Sequence, residues 1–125
     1  MSDRKYKVLD GLWSRLVEMR ARGRCEKCGA IHGLSAHHIF GRRMLSVRWD
    51  KECGVYLCLN CHTASSIFSA HLTPNKFMEW IIEHRGAKRI DALTLRANTP
   101  GKPDEIETKI ILNTEIDGQR QFYNK

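Results

Sequence analysis

Four cysteines in this 125-residue chain stand as two tight pairs, Cys25-Glu26-Lys27-Cys28 and Cys58-Leu59-Asn60-Cys61. Two such hooks supply the four thiolates that close a tetrahedron round one zinc ion, and a closed thiolate set leaves no position for water. The implied zinc is therefore structural, a clamp joining segments about thirty residues apart. His37-His38 lies between the hooks, and His62 follows the last cysteine directly. A clamp there would hold these imidazoles close together. A neutral imidazole can take a proton from water, as hydrolysis requires, and can also ligate a transition metal. Strand side chains alternate, so one of His37 and His38 can bind a second metal while the other acts as a base. The plain alternative is one buried and one solvent-facing histidine. Arg42, Arg43 and Arg48 follow the pair. Arginine grips phosphate oxygens in a bidentate fork, and Arg43 and Arg48 are the favoured candidates, against a merely solvated basic loop.

Charge points the same way. The net charge is +7, and residues 1–48 carry all of it: 11 Lys/Arg against 4 Asp/Glu, with 10 against 10 in the remainder. Such a bias attracts polyanions, nucleic acid first among them, although a solvated basic face would look the same. No apolar run is long enough to span a membrane, and residues 1–7 lack the apolar core of a signal peptide. The expectation is a cytoplasmic protein, where thiols stay reduced and paired cysteines serve metals rather than disulfides. Cys53 is left over from the pairing.

The elements that must position these groups can be read from periodicity. Leu9, Leu12, Trp13, Leu16 and Val17 recur at helical spacing and predict an amphipathic helix over 5–22, ended by Gly23. Residues 29–36 suit a turn and a strand leading into His37-His38. A loop begins at Gly41, and Val55-Tyr56-Leu57 is a second strand running into the second hook. A helix is expected to start after Cys61. Thr73 as N-cap and Pro74 in the first turn predict another to about His84, burying Phe77, Trp80 and Ile81 and ending at Gly86. Ile90, Leu93 and Leu95 mark a short element, residues 98–103 a break, and 104–117 a terminal helix. The organisation expected is a basic amphipathic helix over 1–23, a zinc-braced unit over 24–86 and a helical extension over 87–125.

Taken together, Cys25-x-x-Cys28, Ala36-His37-His38-Ile39-Phe40, Arg48-Trp49-Asp50, Leu57-Cys58-x-x-Cys61-His62 and Phe68-Ser69-Ala70-His71 with Pro74, Phe77 and Trp80 resemble the HNH endonucleases, especially the small phage and prophage type. The resemblance covers residues 24–80. It implies an α+β fold: a small ββα-metal, treble-clef-like core braced by a four-cysteine zinc (Cys25, Cys28, Cys58, Cys61), with flanking helices. It implies metal-dependent hydrolysis of DNA phosphodiesters. By position, His38 is the general base, and His37 and His62 are ligands of a catalytic divalent metal. Magnesium prefers oxygen donors, whereas imidazoles suit Mn²⁺, Ni²⁺, Co²⁺ or Zn²⁺.

Two positions depart from that pattern. Cys53 occupies the place of the Asn that ties the loop and orients the base, and a thiol is a poor hydrogen-bonding substitute. Ser66 stands where some relatives carry a further metal-binding His; the next histidine is His71, which joins the site if the chain after His62 folds back. The reading is a DNA nickase of low sequence specificity, with DNA as partner and a homodimer as one route to double-strand cuts. The alternatives are a non-catalytic zinc-stabilised DNA-binding module and an accessory protein of phage packaging or recombination acting through a protein partner.

Overall fold

A computed structural model describes residues 6–123. The chain runs α1 (Lys7–Arg20), β1 (Leu34–His38), β2 (Gly54–Cys58), α2 (Pro74–Arg85), α3 (Ala87–Ala97) and α4 (Glu105–Tyr123). It is a mixed helix-and-strand fold whose one sheet, among the described residues, is the antiparallel pair β1–β2. No helix among these residues is long and apolar enough to cross a membrane.

Helix α1 follows from its stripe: Leu9, Trp13, Leu16 and Val17 are all buried. Lys5, the expected first residue, lies outside the described residues. The helix closes two residues earlier than its periodicity suggested, because Arg22 and Gly23 both turn to positive φ and the Gly23 N–H reaches back to the Glu18 carbonyl at 3.1 Å. Helix α2 begins at Pro74 as expected, but Thr73 does not cap it. Its hydroxyl turns back instead, accepting the Ser69 N–H and donating to the Ser69 carbonyl, both at 2.9 Å. The expected helix after Cys61 is one turn only, Asn60–Ala64, closed by a wide i→i+5 bond from the Ser65 N–H to the Asn60 carbonyl at 3.0 Å. Helix α4 runs six residues past its expected end at 117.

The hairpin register pairs Ala36 with Tyr56, His37 with Val55 and His38 with Gly54. Alternation then sorts the two faces of the ribbon. Val55 and Leu57 join Cys25, Cys58, Cys61, Val47, Phe77, Ile81 and Leu93 in one buried cluster. Ala36 and Tyr56 turn the other way, onto a cluster built from Tyr6, Leu9, Trp13, Leu16 and Val17 of the N-terminal segment, Trp49, and Leu112 and Ile116 of α4. The ribbon is thus sandwiched between two apolar clusters.

Candidate metal centre and histidine cleft

The first hook sits on a tight turn. The Cys25 N–H bonds the Ala30 carbonyl, the Gly29 N–H bonds the Cys25 carbonyl, and the Cys28 N–H points at the Cys25 sulfur at 3.5 Å. The second hook follows β2 directly, so the sheet register brings it alongside. All four sulfurs lie within 4.8 Å of one another, and Cys28 Sγ stands 3.6 Å from Cys58 Sγ. Four thiolates at about 2.3 Å from a central zinc sit about 3.8 Å apart. The donor set therefore fits one tetrahedral metal ion. Burial pushes the Cys25 thiol up, but backbone N–H groups of Cys28, Cys58 and Lys27 outweigh it and bring it down to about 7. Burial and the neighbouring thiols push Cys61 the other way, and Cys28 is raised as well, so the four cannot all ionise together until a cation offsets their charge.

Glu26, inside the first hook, wires that turn to its surroundings. Its N–H bonds the Tyr56 carbonyl, its carboxylate accepts the Tyr56 N–H at 2.8 Å, and the same carboxylate meets Arg85 at 3.0 Å and His84 at 3.1 Å. The hook is locked to both β2 and the end of α2.

Three of the histidines converge beside the hooks. His37, His62 and His71 offer ring nitrogens within 4.8 Å of one another. His37 Nδ1 and His62 Nε2 are 3.0 Å apart, close to the separation of about 3.0 Å for two nitrogens sharing a metal at right angles with bonds of about 2.1 Å. Ser35, two residues before His37 and on the same face, lies 3.0 Å from His62 Nδ1. That contact leaves His62 Nε2 as the nitrogen turned toward His37. Outer hydrogen bonds of this kind orient metal-ligating imidazoles. Burial, and then the neighbouring imidazoles, drive the His37 value down to about 3; burial and then His71 lower His62. Both are held in the neutral form that can ligate.

His71 reaches the cluster although it stands nine residues after His62. Two backbone bonds dock its segment on the second hook: Ala70 N–H to the Cys61 carbonyl at 2.9 Å and His71 N–H to the His62 carbonyl at 3.0 Å. The Ser69–Thr73 exchange tightens the turn that carries it. Phe77 sets its ring edge against His37 from α2, with centroids 5.3 Å apart.

His38 takes the opposite face. Its ring lies flat on the Trp13 indole, centroids 3.8 Å apart and planes within 7°. Its Nε2 is 2.9 Å from the Arg48 carbonyl. A carbonyl only accepts, so Nε2 carries the proton and Nδ1 is the basic nitrogen. Burial pushes its value down to about 4, against an opposing pull from the Arg48 carbonyl. At the end of the strand the two faces meet: a cleft of about 600 Å³ is lined by Ala36, His37, His38, Gly41, Arg42, Arg43, His62 and His71.

The arginines divide. Arg43 is exposed on the cleft wall. Arg48, expected beside it as a phosphate fork, is corrected: it is 3 % exposed and spent on Asp10, with Nε and Nη2 at 3.0 and 2.7 Å from the two carboxylate oxygens. Arg42 also stands 3.6 Å from Asp10. Desolvation raises the Asp10 carboxyl, but Arg48, Trp49 and Arg42 outweigh it and hold it below the usual range.

Cys53 is fully buried, and burial pushes its thiol up to about 11. It ties the loop at three points. Its carbonyl accepts the Ile39 N–H at 2.7 Å, its sulfur accepts the Phe40 N–H at 3.5 Å, and the thiol faces the Phe40 carbonyl at 3.7 Å. The thiol thus meets both a donor and an acceptor, a pairing that its weak hydrogen bonding had argued against.

A second cleft, of about 580 Å³ between α4 and residues 46–51, is lined mainly by apolar groups including Trp49, Ile111 and Leu112. Its charged groups are already paired, Lys51 with Glu115 at 2.6 Å and Asp50 with Arg96 at 2.7 Å, and it gathers no reactive set. Sequence reasoning missed Ser35, Asp10 and the stacking role of Trp13. Trp13 carried a signal, as the one aromatic in the α1 stripe, but nothing local named its partner.

No family model, curated protein or solved structure matches this chain significantly.

Proposed function

We propose that this chain is a metal-dependent endonuclease of the HNH type that hydrolyses DNA phosphodiester bonds, one strand per encounter, with low sequence specificity. The observation that carries the reading is the placement of one basic imidazole nitrogen and three ligand-type imidazoles on adjoining walls of a single cleft, with Arg43 at its side. The hairpin, the turn after the second hook and the helix beyond it support a ββα-type unit, and the four clustered cysteines support a structural zinc beneath it.

In this reading His38 holds its Nε2 proton on the Arg48 carbonyl and presents Nδ1 to the attacking water, whose proton it takes. His37, His62 and His71 would hold a divalent ion. When bound, that ion supplies positive charge beside the scissile phosphate and its leaving oxygen. Arg43 neutralises the phosphate from the wall of the cleft. His37 and His38 turn to opposite faces of β1, so ligation and proton transfer would not compete for one nitrogen. The basic surplus of the N-terminal segment draws the polyanion toward the site.

Plasmid nicking tests the proposal, with Mg²⁺, Mn²⁺, Ni²⁺, Co²⁺ and Zn²⁺ supplied in turn to wild type, His38→Ala and His37→Ala. The expected result is nicking by wild type, and loss of at least two orders of magnitude in both variants with DNA binding retained. Wild-type protein that binds DNA and nicks it with none of these ions overturns the nuclease reading and leaves a zinc-stabilised DNA-binding module. Negligible DNA affinity together with a stable protein partner would point to an accessory role in packaging or recombination.

A further inference from the structure

We propose that helix α1 is a working part of the catalytic centre: Trp13 and Asp10 are positioning residues that fix the plane and the rotation of the His38 ring. The inference rests on the reading of His38 as the base. Trp13 supplies the plane. Its indole lies parallel to the imidazole at 3.8 Å, is 1 % exposed, and is itself pinned by an Nε1–H bond to the Asp50 carbonyl at 2.9 Å. Asp10 supplies the rotation. Its carboxylate takes Nε and Nη2 of Arg48 and also Nε1 of Trp49 at 2.9 Å, clamping residues 48 and 49. The carbonyl of that clamped Arg48 is the one that receives His38 Nε2–H. A flat stack removes tilt, and the hydrogen bond at Nε2 removes spin, so the basic nitrogen keeps one direction.

The strand opposite is shaped for this contact. Gly54 pairs with His38 across the ribbon, and a Cβ there would lie 2.8 Å from Trp13 Cζ2. The missing side chain on β2 is what admits the indole beneath the base. Neither Trp13 nor Asp10 lines the cleft, so neither is placed to touch substrate. Their influence passes through His38. Misplacing a reacting group by about 1 Å costs on the order of 10²-fold in rate.

The test uses full-length, metal-loaded protein and three variants. Trp13→Leu removes the stack, Trp13→Phe keeps a flat face, and Asp10→Asn weakens the clamp while keeping its shape. The nicking assay should give a kcat about 10- to 100-fold lower for Trp13→Leu, a KM for DNA within about twofold, and recovery of most of kcat in Trp13→Phe. Asp10→Asn should fall between them. A second readout is independent of catalysis: the His38 ring protons, shifted upfield by the indole in wild type, should return toward ordinary values in Trp13→Leu and stay shifted in Trp13→Phe. Undiminished kcat in folded Trp13→Leu, or His38 ring protons unchanged by it, overturns the inference. Should Trp13→Leu fail to fold, Asp10→Asn decides by the same kcat and KM split. If wild type never nicks, the nuclease reading falls, whereas the ring-proton comparison still reports whether Trp13 holds the imidazole.

Discussion

Gly54→Ala is a one-carbon test of how α1 sits on the ribbon. The backbone at Gly54 is extended, φ −102° and ψ 140°, so alanine can adopt it without strain. The cost is entirely in the space. An added Cβ would stand 2.2 Å from Val17 Cγ2, and 2.8 and 3.3 Å from Trp13 Cζ2 and Cε2. Carbon atoms rest at about 3.5–4.0 Å, so the Val17 methyl must retreat by over an ångström. It has little freedom to do so: Val17 is 2 % exposed and β-branched in a helix, and Trp13 is held at Asp50. The helix itself must lift, taking its packing against α4 with it. Overpacking of this kind costs about 1–3 kcal/mol, and the upper end is expected because two buried side chains are struck at once. Gly11→Ala is the matched contrast. Gly11 lies on the exposed side of the same helix with nothing within 4 Å of its would-be Cβ, so alanine there should add about 0.5–1 kcal/mol. Urea unfolding at fixed zinc, followed by circular dichroism, reads both. With a slope of roughly 1–3 kcal/mol/M, a loss of about 3 kcal/mol should lower the Gly54→Ala midpoint by about 1–3 M while Gly11→Ala rises slightly. A Gly54→Ala protein as stable as wild type, beside a stabilised Gly11→Ala, would refute the packing argument.

Four further outcomes can be checked. Removing metal with a strong chelator, or replacing Cys58 by Ala, should cost most of the cooperative unfolding transition, because the buried hook cysteines belong to one of the two core clusters; calorimetry with and without zinc reads this. Glu26→Ala strips the carboxylate from Arg85, whose side chain is 7 % exposed, and should destabilise by about 2–3 kcal/mol in urea unfolding. Cys53→Ala leaves the Phe40 N–H and carbonyl without their sulfur partner and should cost about 1–2 kcal/mol in urea unfolding; on the nuclease reading proposed above, nicking should fall further than stability alone explains. Burial keeps His37 and His38 neutral, at about 3 and about 4, so an unfolded chain binds protons that the folded one refuses; stability is full above about pH 6.5 and falls as pH drops toward 4, and His38→Asn should flatten that slope.

Local spacing carried a good part of this molecule. Two Cys-x-x-Cys hooks announced the sulfur cluster, and strand-like residues between them announced the hairpin, because ligand spacing and side-chain alternation are properties of neighbours in sequence. The Leu9–Val17 stripe announced α1 as a packed helix. What escaped were pairings between distant polar groups. Arg48 looked like a loop arginine, but its partner Asp10 lies 38 residues away on another element and leaves no periodic trace. His71 was legible as a candidate that joins if the chain folds back, but the fold-back itself rests on two backbone bonds to residues 61 and 62, and backbone bonds have no residue signature. Thr73 before Pro74 read as a helix cap, yet a buried Ser69 offered a nearer partner. Cys53 was legible as an oddity in place of Asn; that its sulfur meets both polar groups of Phe40 depended on a loop geometry that no local rule describes.

The peptide bond between His37 and His38 is a seam. One ring belongs to the side of the ribbon backed by the hook cysteines and α2, the other to the side backed by α1 and α4. The site therefore draws on both halves of the interior, and neither half holds all four imidazoles. The cysteine side of the ribbon holds His37, and His62 and His71 gather on it; the α1 side holds His38 alone, flat on Trp13. On the nuclease reading proposed above, competence would then require that the two sides be in register at a single peptide bond, so a disturbance on either side of the ribbon would be felt at the site.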